Sequence, residues 1–312
     1  MSGVVWDRKK AQKKLRLKAL RMWQVYLLIL PVLVYILIFN YAPMYGIVMA
    51  FQNFKPARGI LDSQWVGLKH FQRFFAQPRA MSIIWNTLYI SVSSLLFGFP
   101  FPVILALLMN SLVSNRFKKA VQTITYMPHF ISTVVMVGML MVMLNPTYGV
   151  VNTFIKHFGG SPIFFFGSEE WFVPLHVISG IWQNMGWSSI VYLASLSAVD
   201  PSLHEAAIVD GASRIQRLRH IDFPSILPTV IIYLILNCGK LMSVGFEKVY
   251  LMQTSLNSRV SEVISTYVYQ RGLIGGEFSF SSAVGLMNSV VNLIMLVSVN
   301  AISRKVSETS LW

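Results

Sequence analysis

The sequence predicts an all-α membrane protein with six transmembrane helices, and three observations support this fold class. The chain of 312 residues is 54% hydrophobic and only 12% charged, whereas soluble domains carry about 25% charged residues. Five long stretches contain no Asp, Glu, Lys or Arg, and a sixth is interrupted only by Lys240. Each stretch is longer than the roughly 20 residues that a helix needs to cross a bilayer. The runs also lack the alternation of a transmembrane strand, so each span should be helical.

The ends of the predicted helices are set by charged residues and turn formers. In chain order the helices cover about Met22–Asn40, Ile83–Asn110, Val121–Leu144, Phe172–Ser197, Pro224–Phe246 and Ser281–Ser303. A short amphipathic helix at the membrane interface is expected near Leu68–Phe75, where apolar residues recur at helical spacing. No repeat or linker marks a second domain, so one membrane domain (22–303) is expected between a basic segment (1–21) and a short tail (304–312).

Basic residues predict the orientation of the chain. The segment DRKKAQKKLRLKALR carries eight Lys or Arg, which is typical of a cytoplasmic N-terminus. Six crossings then place the C-terminus in the cytoplasm too. Pro43–Ala80 would lie outside although it holds five Lys or Arg, but inside segments hold sixteen against nine outside. This bias, with attraction to anionic membrane lipid, accounts for the net charge of +14, so nucleic-acid binding is not expected.

The connection between the fourth and fifth helices departs from the apolar pattern. Its sequence HEAAIVDGASRIQRLRHIDFPSILP contains six charged residues and lies at the cytoplasmic face in the predicted topology. Asp200 or Ser202 can cap a first helix, Gly211 permits a turn, and a second helix should stop at Pro224. The connection has about 25 residues, against the usual 2–8 between helices. It offers an apolar stripe with no core to cover it, which predicts a protein partner.

This segment resembles the EAA loop of permease subunits of binding-protein-dependent ABC importers. The family pattern is Glu-Ala-Ala, three residues, Gly, nine residues, Ile, one residue, and then an apolar residue and Pro. The residues that match are Glu205, Ala206, Ala207, Asp210, Gly211, Ile221 and Pro224. Phe223 stands where leucine is commoner. The DGA sequence is usual in the carbohydrate-importing branch of the family.

Three further segments resemble the subgroup that imports complex oligosaccharides and polysaccharide fragments. They are MYGIVMAFQNFKP, WVGLKHFQRFF and the ending VSETSLW. Within such importers, the chain resembles the larger, sugar-contacting permease of the maltose type. The resemblance therefore implies a multi-pass protein of the cytoplasmic (inner) membrane that moves a carbohydrate by alternating access.

The resemblance also implies a coupling helix in the segment 203–223, which sits in a cleft of a separate ATPase subunit. Glu205 would pair with a basic group on the ATPase, and Gly211 would permit the turn that fits the cleft. The chain has no Gly-x-x-x-x-Gly-Lys-Ser/Thr loop. ATP and Mg²⁺ are therefore expected on the ATPase, and no cofactor on this chain. The implied partners are a second permease, two ATPase subunits, an extracellular binding protein at the outer loops and the carbohydrate.

Polar and aromatic side chains at mid-membrane depth are the candidates for the substrate pathway. Polar groups within a span are costly unless they face a cavity or a neighbouring helix. The strongest cluster is WQNMGWSS in the fourth helix, where maltose-type relatives supply sugar contacts. The candidate residues are Trp182, Gln183, Asn184, Trp187, Tyr126, His129, Asn237, Lys240, Asn288 and Asn292. Helix packing remains an alternative, and Lys240 either snorkels to the interface or favours an acidic sugar such as a uronate.

Two other classes of function fit the sequence less well. A secondary transporter or channel would work without an ATPase, but it leaves the EAA-type segment unexplained, and no span carries a carboxylate to relay protons. A membrane-embedded enzyme should cluster acid and base residues at one depth, and no such cluster is found. The six histidines form no metal pattern, and the single cysteine, Cys238, excludes a disulfide framework. No cleavable signal peptide is expected.

Overall fold

The computed structural model describes residues 22–306, 310 and 311, and it is predominantly helical. The helices are α1 (Trp23–Ile36), α2 (Lys69–Phe75), α3 (Ala80–Gly98), α4 (Pro100–Asn110), α5 (Asn115–Tyr126), α6 (Thr133–Met143), α7 (Val150–His157), α8 (Glu169–Leu196), α9 (Pro201–Val209), α10 (Arg214–Arg217), α11 (Phe223–Cys238), α12 (Phe246–Met252), α13 (Ser258–Ser261), α14 (Ile264–Tyr269) and α15 (Phe278–Val306). The predicted basic segment 1–21 lies outside the described residues, as do 307–309 and 312 of the predicted tail.

Four helical runs in the described part of the chain are long and apolar enough to cross a membrane. They are Trp23–Phe51, Ala80–Asn110, Arg214–Cys238 and Phe278–Lys305. The run through α5 and α6 is a fifth if that bent pair is counted as one span. Helix α8 has 28 residues. Its glutamate, amide and serine side chains make it less apolar than these runs, and it is not among the four. The prediction of a predominantly helical chain with several apolar spans is confirmed, with four or five such spans among the described residues against the predicted six.

The first span is longer than predicted, and a small hairpin follows it. After α1 the chain stays helical as a π turn and then as a 3-10 helix, Ala42–Phe51, so it passes the predicted end at Asn40. The antiparallel strands β1 (Gln52–Lys55) and β2 (Gly59–Trp65) come next and depart from the all-α class. The predicted amphipathic helix forms as α2, and its position at a membrane interface stays a prediction.

The prediction that the third transmembrane helix is continuous over Val121–Leu144 is wrong. The chain bends by 99° between the helical run Asn115–Phe130, which begins with α5, and α6. Pro128 lies in a 3-10 turn that ends the first part, and the Ser132 side chain caps α6. Gln183 Nε2 of α8 donates a hydrogen bond to the Ile131 carbonyl at 2.9 Å. A break in a helix frees backbone groups that need new partners, and α8 supplies one of them.

The prediction that a helix stops at Pro224 is also wrong. The helical run that begins at α10 passes the proline and continues as α11. A π turn over Leu218–Asp222 makes this possible, since the Phe223 N–H bonds to the Leu218 carbonyl. The wider turn shifts the hydrogen-bond register just before the residue that lacks an N–H. The segment that holds α10 is therefore continuous with α11 in the helical run Arg214–Cys238.

The predicted fifth transmembrane helix, which forms as α11, ends at Cys238 rather than at the predicted Phe246. The chain turns over residues 239–245 before α12 begins. Asn292 of α15 holds this turn, because its Oδ1 accepts a hydrogen bond from the Met242 N–H at 2.9 Å. A long-range contact therefore ends a helix that the local sequence would continue.

Helix α8 lies at the centre of the fold and packs against α3, α4, α5 and α11. Gly186 brings α8 close to α5, because a Cβ on this residue would lie 2.1 Å from the Thr125 carbonyl oxygen. No real Cβ sits so near a backbone oxygen, so the two helices can cross at this distance only through glycine. This crossing positions the polar face of α8 described below.

The connection between α6 and α8 is organised around Asn152. This side chain is fully buried. Its Nδ2 donates to the carbonyls of Leu144 and Ile163, both at 3.0 Å, and its Oδ1 accepts from the Ile163 N–H at 2.7 Å. One amide thus ties the end of α6 to the segment that precedes α8.

Asn152→Ala is expected to loosen this connection, since it leaves buried backbone groups unpaired at a cost of about 1–3 kcal/mol for each lost partner. Limited proteolysis of the assembled complex should then cut the segment 144–168 faster, and the thermal midpoint should fall. The matched control is Asn53→Ala, an exposed amide of β1. Equal cleavage rates in the two variants would contradict the role given to Asn152.

Candidate functional site

The segment between α8 and α11 forms two short helices joined by a turn. Asp200 caps α9 because its Oδ1 accepts from the Ser202 N–H at 2.9 Å, and this hydrogen bond lowers the pKa of the Asp200 carboxyl group. Gly211 makes the turn with a φ of +77°. Ser213 then caps α10 in a capping box with Gln216. The alternative cap, Ser202, is thereby excluded.

The outward face of this segment is exposed and has no cover within the described residues. Glu205 is exposed and makes no hydrogen bond or ion pair there. The apolar side chains of Ile208, Val209 and Ile215 are exposed by 56%, 86% and 78%. Exposed apolar residues beside charged ones are typical of an interaction surface. The arrangement suits a protein partner.

The remaining motif residues lie on different parts of the segment. Ala206 and Asp210 are exposed, whereas Ala207 is half-buried. Ile221 is half-buried in the π turn, and Pro224 lies in the first turn of α11. The motif therefore extends from the free helix α9 to the base of a span.

A cavity of about 450 Å³ lies between α3, α4, α8 and α11, beside the turn that leads into α12. Its lining includes the cations of Lys240 and Lys248 and the amides of Gln183, Asn184 and Asn237. None of the described residues that line it is Asp or Glu. The cavity is therefore positively charged and rich in hydrogen-bonding groups.

Three cavity residues that sequence reasoning missed have informative surroundings. Lys248 Nζ donates to the His176 carbonyl at 2.6 Å, and Gly180 leaves room for it, since a Cβ there would lie 3.2 Å from Nζ. The Nδ1 of His176 and the Oγ of Ser94 are buried without a hydrogen-bond partner within the described residues. An unpaired buried polar atom is costly, so these two atoms favour a polar occupant. Lys248 was missed because α12 was expected to be an outer loop.

Four of the ten sequence candidates line the cavity, and two others lie next to it. The four are Gln183, Asn184, Asn237 and Lys240. His129 Nδ1 lies 3.1 Å from Asn184 Oδ1, and its ring stacks on Trp187 with centroids 4.6 Å apart. The structure thus joins candidates from two separate helices into one polar and aromatic cluster.

The other four candidates lie outside the cavity lining. Trp182 is 43% exposed, and Tyr126 is half-buried against a cluster formed by α4, α8 and α11. Asn288 is half-buried, and its Oδ1 has no partner within the described residues. Asn292 binds the turn at 239–245, with its Nδ2 2.8 Å from the Ser243 Oγ. This contact gives Asn292 a structural role.

The chain matches a family model and several relatives over most of its length. The model described as "Binding-protein-dependent transport system inner membrane component" matches residues 98–308. The polygalacturonan/rhamnogalacturonan transport system permease protein YteP of Bacillus subtilis (strain 168) is 44% identical over 98% of this chain and 95% of its own length. Protein LplB of the same organism is 42% identical over 92% and 91%.

A solved structure is similar as well. It belongs to a bacterial ABC transporter involved in the import of the acidic polysaccharide alginate, with a TM-score of 0.86 and 39% identity, over 94% of this chain and 99% of that one. These similarities confirm the resemblance that was inferred from the segment around Glu205–Pro224. The chain is therefore a multi-pass inner membrane component of a binding-protein-dependent transport system.

Proposed function

We propose that the chain is a permease subunit of an ATP-driven importer, and that its cavity passes an acidic oligosaccharide or polysaccharide fragment. The observation that carries this proposal is that Lys240 and Lys248 line the same cavity, whose described lining contains no carboxylate. The relative named for polygalacturonan and rhamnogalacturonan and the alginate importer support the same class of substrate.

The chemistry of the cavity suits a carboxylated sugar. Charges attract more strongly in a partly buried, low-dielectric site than in water, so the half-buried ammonium group of Lys248 favours uronate carboxylates, and the exposed Lys240 adds a second positive charge to the same cavity. The amides of Gln183, Asn184 and Asn237 can bond to sugar hydroxyls. Gln183 is partly committed, since it also bonds to the Ile131 carbonyl. Recognition would therefore combine charge with a few fixed hydrogen bonds.

In the proposed arrangement, α8 and the bent pair α5–α6 complete six spans, and both termini lie in the cytoplasm. Helix α9 contacts a separate ATPase subunit that binds ATP and Mg²⁺, with Glu205 toward the partner and Gly211 making the turn. A second permease completes the membrane unit. An extracellular binding protein delivers the sugar to the outer loops, near 149–171 and 249–278. Closure of the ATPase dimer would shift the permease between two states.

The test measures uptake by proteoliposomes that hold the co-expressed complex, with a uronate oligosaccharide and a neutral oligosaccharide of equal length. Lys240→Gln and Lys248→Gln are expected to reduce uptake of the charged sugar about tenfold each, the loss expected for one hydrogen bond to a charged group. Uptake of the neutral sugar should be unchanged. Lys69→Gln, an exposed lysine of α2, is the matched control.

Two outcomes would contradict the proposal in different ways. An equal decrease in the uptake of both sugars by the lysine variants would overturn the acidic substrate class, but the chain would still belong to an importer. Undiminished uptake by the wild-type complex without ATP would overturn the ATP-driven importer and favour a secondary transporter or channel.

A further inference from the structure

A buried carboxylate lies where the segment of α9 meets the membrane helices. Asp222 is 4% exposed and ends the π turn that leads into α11. Its Oδ1 accepts a hydrogen bond from Asn110 Nδ2 at 3.2 Å, and Asn110 is the last residue of α4. The same Oδ1 lies 3.3 Å from the Nε2 of His204 on α9. One side chain therefore connects three helices.

The contact with His204 matters because α9 is otherwise loosely attached. Packing between α9 and the other elements is sparse. Within residues 22–306, 310 and 311, no other side-chain hydrogen bond or ion pair joins α9 to a membrane helix. His204 has a side-chain exposure of 26% and faces inward, while its neighbour Glu205 is exposed. The inner face of α9 thus holds Asp222, and its outer face is free.

Stability alone does not explain a carboxylate at this place. A buried charge is costly to desolvate, and an apolar group of similar size often stabilises a protein equally well or better. A buried polar contact does specify one geometry, because its partners must lie at fixed distances and angles. Both helices that Asp222 joins to α9 contribute to the cavity, through Pro102 of α4 and Asn237 of α11.

We propose that Asp222 is a positioning residue that transmits displacement of α9 to α4 and α11, and hence to the cavity. This inference rests on the proposed coupling role of α9. ATPase binding and the transmission of motion are then performed by different residues of the segment. The exposed face of α9 binds the ATPase, and the buried Asp222 contact converts motion of α9 into motion of the cavity walls. Loss of the contact should leave ATPase binding intact but lower the sugar uptake per ATP hydrolysed.

The experiment uses the complete co-expressed complex with its binding protein and measures sugar uptake per ATP hydrolysed, with the uronate oligosaccharide as the probe. Asp222→Ala and His204→Leu should still copurify with the ATPase, but uptake per ATP should fall about fivefold or more, the lower end of typical coupling between sites. His204→Gln, which can still donate to Asp222, should retain the wild-type ratio. Asp62→Ala, an exposed aspartate of β2, is the matched control.

Rescue by glutamine separates transmission from packing, because a merely structural role would not distinguish leucine from glutamine in this way. An assembled His204→Leu complex with the wild-type ratio would overturn the inference. The two His204 variants also decide the matter if Asp222→Ala does not assemble, since His204 is partly exposed. A wild-type complex without ATP-dependent uptake would instead contradict the proposed function. Wild-type uptake with unchanged ratios in every variant would contradict only the role of Asp222.

Discussion

Gly211→Val is expected to reduce ATP-driven uptake about tenfold or more while the membrane helices remain folded. Gly211 has a φ of +77°, and a Cβ built on it meets no atom within 4 Å. The effect therefore comes from the backbone alone. This left-handed conformation costs an L-residue about 1–2 kcal/mol, and a β-branched residue adopts it least readily. The strained turn would open, and α9 and α10 would no longer present one surface.

The measurement is uptake by proteoliposomes together with copurification of the ATPase subunits. Gly211→Asn is the matched control, since asparagine tolerates positive φ better than other non-glycine residues and should keep most of the uptake. Glu205→Ala is a useful companion because it removes the proposed contact to the ATPase without backbone strain, and it should also weaken copurification. Equal uptake in the valine, asparagine and wild-type complexes would contradict a role for this turn in coupling.

Gly186→Ala is expected to destabilise the complex and to lower its yield or its thermal midpoint. A Cβ at this position would lie 2.1 Å from the Thr125 carbonyl oxygen and 3.0 Å from the Thr125 Cβ. Relief requires that α5 and α8 move apart, because the nearest atoms belong to the backbone and not to a flexible side chain. Overpacking of this kind costs about 1–3 kcal/mol and sometimes more. The shift would also displace the Gln183 contact that holds the bend after α5.

The yield of purified complex and its thermal midpoint test this prediction. Gly138→Ala is the matched control, since Gly138 is also helical and has no atom within 4 Å of a built Cβ. The control should match the wild type, whereas Gly186→Ala should lower the yield or the midpoint. A Gly186→Ala complex with the midpoint of the control would show that the crossing of α5 and α8 is not tight.

The features that the sequence predicts correctly depend on short stretches of chain. Uncharged runs identify transmembrane helices, since every residue of a span lies within the depth of the hydrocarbon core of the bilayer. A cap at Asp200 or Ser202, of which the structure selects Asp200, and the turn at Gly211 follow from the side chain or the conformational freedom of one residue. The family resemblance likewise rests on the spacing between Glu205 and Pro224, and the comparisons confirm it.

Two features that the sequence misses depend on residues that are far apart in the chain. The bend after α5 is held by Gln183, and the early end of α11 is held by Asn292. Among Asp, Glu, Lys and Arg, only Lys240 interrupts the apolar runs at these two places, so local hydropathy predicts continuous helices there. A proline predicts a helix end only if no wider turn can pass it, and Pro224 is passed by a π turn.

The candidate site divides in the same way. Residue types and spacing were enough to identify the segment around Glu205 and to nominate Gln183, Asn184, Asn237 and Lys240, because each is unusual in its local setting. The second lysine of the cavity, Lys248, and the Asp222 contact to His204 and Asn110 depend on the tertiary structure. Their meaning comes from partners on other helices, and a sequence read in order does not bring those partners together.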